Sequence, residues 1–222
     1  MPLHTPALLQ FLAELAENNN RPWFLHNKPH YDIIREEFVE LVGQVGAKVA
    51  KFDEDLGPFE PKKAVFRIYR DVRFAKDKSP YKTHIGAVLG ARTTDKTRPV
   101  YYFHVDHDGT LLMACGIYMA DATALKNIRN YIVSHPETLS KLLKNKKMIE
   151  TFGGLSDEDR MARPPKGYAA DLPHIDYIKN RHFLVETHFS LKKRVPKDMA
   201  AEIAKHFEAA KPLVLWLREA VK

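Results

Sequence analysis

Positions 67 to 84 read RIYRDVRFAKDKSPYKTH, with three arginines, three lysines and two aspartates in eighteen residues. A guanidinium is a planar fork of donors that matches carboxylate or phosphate oxygens in pairs. Arg67, Arg70 and Arg73, with point charges from Lys76, Lys78 and Lys82, therefore suit an anion with several oxygens. Tyr69 and Tyr81 add hydroxyls and ring faces. Asp71 and Asp77 could hold the arginine heads, or one could serve as a base. Tyr81 could act as a proton donor, since positive neighbours favour a tyrosinate and strengthen it as an acid. The ligand classes this implies are a phosphorylated small molecule and a nucleic acid, whose bases stack on rings while cations track phosphates. The alternative is a structural latch, in which Glu36, Glu37, Glu40 or Asp71 neutralises the arginines.

The field is local. Residues 62–84 hold eight Lys and Arg against two Asp, a net six of the chain's formal +7, which favours a site over a generally basic surface. Alternation from Val65 predicts an extended strand. Phe66, Ile68, Val72 and Phe74 would share one face, and Arg67, Tyr69, Asp71 and Arg73 the other. Arg70 falls in the apolar row, so it requires an acidic partner or a bulge. Ser79-Pro80 then enforces an extended or turn geometry.

The elements around this segment follow from their spacing. Thr5 and Pro6 open a first helix with Leu8, Phe11, Leu12 and Leu15 on one face. Asn18-Asn19-Asn20 ends it, RPWF reads as a loop, and Pro29 opens a second, longer helix. HIGAVLGA predicts a strand. VYYFHVDHDGTLLMACGIYM predicts a hairpin about Asp108-Gly109, with His104 opposite Met113 and Tyr102 opposite Cys115. Asp121 caps a further helix and Pro136 opens the next. Residues 152–170 form an irregular excursion, FLVETHFS a late strand, and Pro196 starts a final helix that Pro212 kinks or restarts. Helices at both ends of a run of strands predict an α+β fold with a mostly antiparallel central sheet, as one domain over 1–222. A single cysteine excludes an internal disulfide. No run approaches the roughly 20 apolar residues that span a bilayer, and no secretion signal is visible, so a cytoplasmic, non-membrane protein is expected.

The pattern R-x-x-R-D-x-R-F-x-x-D-K-x-x-Y, formed by Arg67, Arg70, Asp71, Arg73, Phe74, Asp77, Lys78 and Tyr81, resembles the signature of a family of uncharacterised bacterial proteins with fungal relatives. The NNN-R-x-W-F, C-G-I-Y and P-L-x-x-W-L stretches extend that resemblance along the chain. The family is classed as a domain of unknown function, so the resemblance implies no activity. It does imply serine where Ala75 stands.

Two other groupings could carry chemistry. His104, Asp106, His107 and Asp108, with His84 or His188, have metal-ligand types, but no HExxH or paired-cysteine spacing supports a metal. Cys115 with His104 would be a Cys-His nucleophile, against a small buried core residue. No Walker loop, dinucleotide fingerprint or G-x-S-x-G elbow occurs.

Overall fold

A computed structural model describes residues 3–90 and 97–222. The architecture is α+β: eight helices among the described residues and one four-stranded antiparallel sheet of order β1-β2-β3-β4. The strands are β1 His84–Leu89, β2 Val100–Asp106, β3 Thr110–Ile117 and β4 Phe183–Ser190. Ala91, expected to close the first strand, lies outside the described residues. No helix is long and apolar enough to cross a membrane, among the described residues.

The chain forms two compact units. The first comprises Met1–Leu89, Tyr102–Met113 and His188–Ala204. It begins with α1, Thr5–Glu17, and α2, Arg21–Val49. The α1 cap is His4, whose Nδ1 accepts from the Ala7 amide at 3.3 Å, and not Thr5, which is buried one residue on. RPWF is helical, not a loop. Asn20 caps α2 by accepting from the Trp23 amide at 3.0 Å, and Pro29 lies inside the helix. Phe24, Tyr31, Phe38 and Val45 are all buried at a seven-residue interval, so one apolar seam runs straight past Pro29. Phe38 meets Phe103 with ring centroids 5.4 Å apart. A 3-10 turn, Glu54–Leu56, and the short α3, Pro61–Ala64, lead to the charged segment.

The β2–β3 turn departs from expectation by one residue. The Gly109 amide donates to Asp106 O at 2.9 Å, and Gly109 sits at φ +83°, a left-handed position that only glycine takes without strain. Three residues, His107 to Gly109, thus turn the chain. His104 lands on the half-buried face and Met113 on the fully buried one, so they do not oppose each other. Likewise Tyr102 is half-buried while Cys115 is buried.

The second unit comprises Gly90–Tyr101, Ala114–Thr187 and Lys205–Lys222. Asp121 caps α4, Ala122–Ser134, by accepting from Ala124 N at 2.8 Å, and Pro136 opens α5, Pro136–Leu143. Two short helices were not legible in the sequence: α6, Lys146–Phe152, and α7, Ile175–Ile178. The irregular excursion between them is tied down. Ser156 N donates to Leu184 O at 2.8 Å, Met161 N to Lys179 O at 3.0 Å, and the Tyr168 hydroxyl to Asn130 at 2.8 Å. The last helix, α8, begins at Met199 rather than Pro196 and continues through Pro212 to Ala220.

Candidate functional site

The charged segment does not make a regular strand. Two isolated antiparallel bridges, Val65 with Ala87 and Tyr69 with Tyr81, hold it beside β1. Three residues lie between the bridges on one side and five on the other, so two extra residues must bulge and no continuous ladder can form. Amide bonds from Phe66 to Gly86 O, Lys82 to Ile68 O and Arg70 to Pro80 O complete the pairing. Beyond Arg70 the chain leaves the sheet and returns at Pro80. Phe74, expected in the apolar row, is 96% exposed.

The base of this loop is anchored by a contact that spacing did not reveal. Asn19, between α1 and α2, donates from Nδ2 to Tyr81 O at 2.9 Å and accepts from Tyr81 N at 3.0 Å. Its amide takes the place of a peptide group in a strand pair, satisfying both backbone groups of Tyr81. The Tyr81 ring is 3% exposed and stacks on Phe24, centroids 4.1 Å apart at 21°. Tyr69 closes the cluster 5.4 Å from Tyr81 and stays half exposed. The visible signal was the triple asparagine, one amide for each of three jobs: ending α1, bridging, and capping α2.

The loop braces itself. Arg70 Nη1 pairs with Asp77 at 2.5 Å and donates to Ser79 O at 3.0 Å. Asp77 was the partner Arg70 required, not Asp71. The other Asp77 oxygen accepts from the Ser79 amide at 2.9 Å and hydroxyl at 2.6 Å. Arg73 grips Asp71 with two parallel bonds, 3.0 Å from Nε and 2.7 Å from Nη2. Lys78 donates to Val72 O at 3.0 Å and Arg73 O at 3.4 Å, and Lys82 to Arg67 O at 3.0 Å. Among the described residues no hydrogen bond or ion pair joins Arg70 or Arg73 to Glu36 or Glu37. Glu37 instead accepts from the His4 amide at 2.9 Å. Arg67 and Lys76 are exposed and make no side-chain hydrogen bond or ion pair among the described residues. The Arg73 guanidinium also lies 5.9 Å from the Phe74 ring centre.

These pairings set the protonation states. Hydrogen bonds from Arg73 lower the Asp71 carboxyl to about 2, and bonds from Ser79 and then Arg70 hold Asp77 well below the usual carboxylate range. Carboxylates held so low are weak bases. Burial raises Tyr81, and Tyr69 raises it further, against a smaller opposite pull from Arg21. The expectation that cations make Tyr81 a stronger acid is thereby reversed, because desolvation outweighs them. Burial, then Arg67, lowers Lys82.

One consequence can be measured. Asp71 and Asp77 titrate lower in the folded protein than in an unfolded chain, where Asp lies near 3.9. Their contribution is whole above about pH 4 and is lost as pH falls through about 2 for Asp71 and lower for Asp77. Thermal melts across that window should show stability falling with acid, less steeply in Asp71→Asn. A profile identical in the two proteins counts against the pairing.

One family model matches residues 7–216, nearly the whole chain. The chain belongs to the conserved hypothetical protein family DUF2461. No curated protein and no solved structure matches it.

The remaining candidate residues of this DUF2461 chain sit as follows. The His84 and His104 rings are 5.0 Å apart, and the Tyr102 hydroxyl shares a hydrogen bond with His104 Nδ1 at 2.9 Å. Burial first, then His84, pushes His104 down to about 4, so it stays neutral near pH 7. His107 turns aside to Asp106, 2.5 Å away, and Asp108 accepts from the Thr110 amide at 2.8 Å within the turn. Among the described residues no three His, Cys, Asp or Glu side chains are grouped to hold a metal ion. Cys115 is free and buried, and burial pushes its thiol well above the ordinary value, which makes it a poor nucleophile.

Proposed function

We propose that this protein binds a phosphate-bearing ligand on its 67–82 surface, and that the ligand is an extended one, a single strand of nucleic acid. The observation that carries this reading is the Phe74 ring. It stands 96% exposed at the crest of a braced loop, with a guanidinium 5.9 Å away. An apolar ring left in water on an ordered loop suits a partner that stacks on it. Tyr69 offers a second half-exposed face, Arg73 lies beside the Phe74 ring, and Arg67, Lys76 and Lys78 are exposed cations of the same segment.

A small phosphorylated metabolite fits less well. Such ligands are held in concave sites that bury most of their surface, whereas these side chains project outward. Acid-base chemistry at Asp71, Asp77 or Tyr81 gains no support either, since the first two are weak bases and the third is buried. The structural-latch alternative is favoured by two observations, the closure of Arg70 on Asp77 and the two-bond grip of Arg73 on Asp71. It leaves the exposure of Phe74 and the unpaired Arg67 and Lys76 without a role.

Fluorescence anisotropy with a labelled oligothymidylate tests the proposal. Three or four phosphate contacts on a single strand give a slope of log K against log salt of about −2 to −3. Phe74→Ala should weaken binding by about 5- to 150-fold, the range for one stacked base. The pair Arg67→Ala and Lys76→Ala should flatten the salt slope by about one unit or more. Absence of binding at low salt, or full binding by Phe74→Ala, sinks it.

A further inference from the structure

The second unit contains a different cluster of cations, around a cavity of about 340 Å³. At its wall is Arg129 of α4, only 9% exposed. Burying a guanidinium costs several kcal/mol unless something compensates the charge. The partners here are neutral. Arg129 Nε donates to Ile178 O at 2.8 Å, and Nη2 donates to Asn180 O at 3.2 Å and to Met161 Sδ at 3.6 Å. No carboxylate pairs with it among the described residues. Nη1 has no partner there either, yet no buried side-chain nitrogen is left unsatisfied. Nη1 must therefore reach accessible space, and the cavity is the space Arg129 lines.

His182 lines the same cavity and is 5% exposed. Its Nδ1 accepts from the Met119 amide at 2.9 Å, which places the ring proton on Nε2. The ring stacks on Tyr118 at 4.5 Å, which fixes its plane. Met119 holds a left-handed φ of +52°, a conformation costly for a non-glycine residue, at the point where it delivers that amide. Nε2–H has no partner among the described residues and, by the same reasoning, opens on accessible space. Lys166 and Arg181 complete the polar lining, and the one lining carboxylate, Asp159, pairs with Arg181 at 3.1 Å. Three cations thus face one anion. The rest of the wall is apolar, with Leu125, Met161 and Pro165.

We propose that this cavity binds a small organic oxyanion, a carboxylate or phosphate monoester on an apolar body. Arg129 and His182 are the fixed donors, and Lys166 and Arg181 supply further charge. The volume falls in the range of small-molecule sites. The irregular 152–170 stretch gains a purpose, since Asp159, Met161, Pro165 and Lys166 all come from it. Arg129 also ties down the end of α7, but that role uses only Nε and Nη2. It explains neither the free Nη1 nor the missing counter-charge.

Calorimetric titration of the full chain with phenyl phosphate, benzoate and neutral benzamide decides the matter. At least one anion should bind saturably at one site and raise the melting temperature, while benzamide does neither. Preference for phenyl phosphate assigns the ligand head as phosphate, and preference for benzoate as carboxylate. Lys166→Ala with Arg181→Ala should keep the fold and weaken the anion about tenfold or more, the scale of one charged hydrogen bond. Arg129→Lys, which keeps charge and loses the fork, should weaken it further. Phe74→Ala should leave this binding unchanged, which separates it from the 67–82 surface. Benzamide matching the anions, neither anion binding the folded protein, or undiminished binding by the Lys166 and Arg181 double variant overturns the proposal.

Discussion

Gly116→Ala is expected to destabilise the protein by about 2–6 kcal/mol, the sum of two separate penalties. Gly116, near the end of β3, has φ +133°, a backbone conformation that side-chain-bearing residues rarely adopt. Holding alanine there costs about 1–3 kcal/mol. The added methyl would also stand 2.1 Å from Phe183 O and 2.7 Å from Leu184 Cα. Both are backbone atoms of β4, so no rotamer change relieves the contact and the strands must part. Overpacking of this kind costs about another 1–3 kcal/mol. In a chain of this length each kcal/mol lowers the melting temperature by about 2–4 °C, so a drop of roughly 10 °C is expected by circular dichroism. Gly154→Ala is the control, since nothing lies within 4 Å of its added methyl and its φ is ordinary. A Gly116→Ala protein that melts with the parent rules out the close strand approach.

The elements that periodicity alone defines were legible. The α1 face of Leu8, Phe11, Leu12 and Leu15 is buried, Asp121 caps α4, and FLVETHFS is β4 residue for residue. Proline misled the reading of α2. Pro29 reads as a helix opener because it lacks an amide donor, but the seven-residue seam from Phe24 to Val45 shows that packing overrides that local cost. The hairpin register slipped because Asp-Gly reads as a two-residue turn. His107 joins the turn ahead of a left-handed Gly109, and that one extra residue shifts the β2–β3 register by one. The charged loop stood out by charge and spacing, and its cations lie in the one segment that the two bridges to Tyr81 and Ala87 hold. Its internal pairing was not visible, since choosing Asp77 over Asp71 for Arg70 depends on how the chain folds back at Pro80. The Arg129 cavity gave no sequence signal. Its residues are scattered from 119 to 182, and an isolated arginine on a helix reads as surface.

Phe24→Ala is the second large effect. The ring is 1% exposed and touches three others: Tyr81 at 4.1 Å, Tyr31 at 5.3 Å and Tyr69 at 6.1 Å. Truncating a buried phenylalanine costs about 3–5 kcal/mol through lost transfer energy and the cavity left behind. The damage should also spread to function. Tyr81 and Tyr69 form the bridge that closes the loop, and without Phe24 beneath them that closure loses its floor. Under the nucleic-acid reading, oligothymidylate affinity should fall even well below the melting temperature. Phe24→Leu, which refills much of the volume, should recover most of the stability. A Phe24→Ala protein with unchanged melting and unchanged affinity would show that the aromatic cluster is not the loop's support.

Cys115 gives the chain an unusual relation to chemical stress. It is the sole sulfhydryl, packed entirely inside and biased against ionising. Thiol-directed reagents reach it only when the fold opens, so labelling of Cys115 reports opening of the core around β3. A bound ligand that holds the fold shut slows that labelling in proportion.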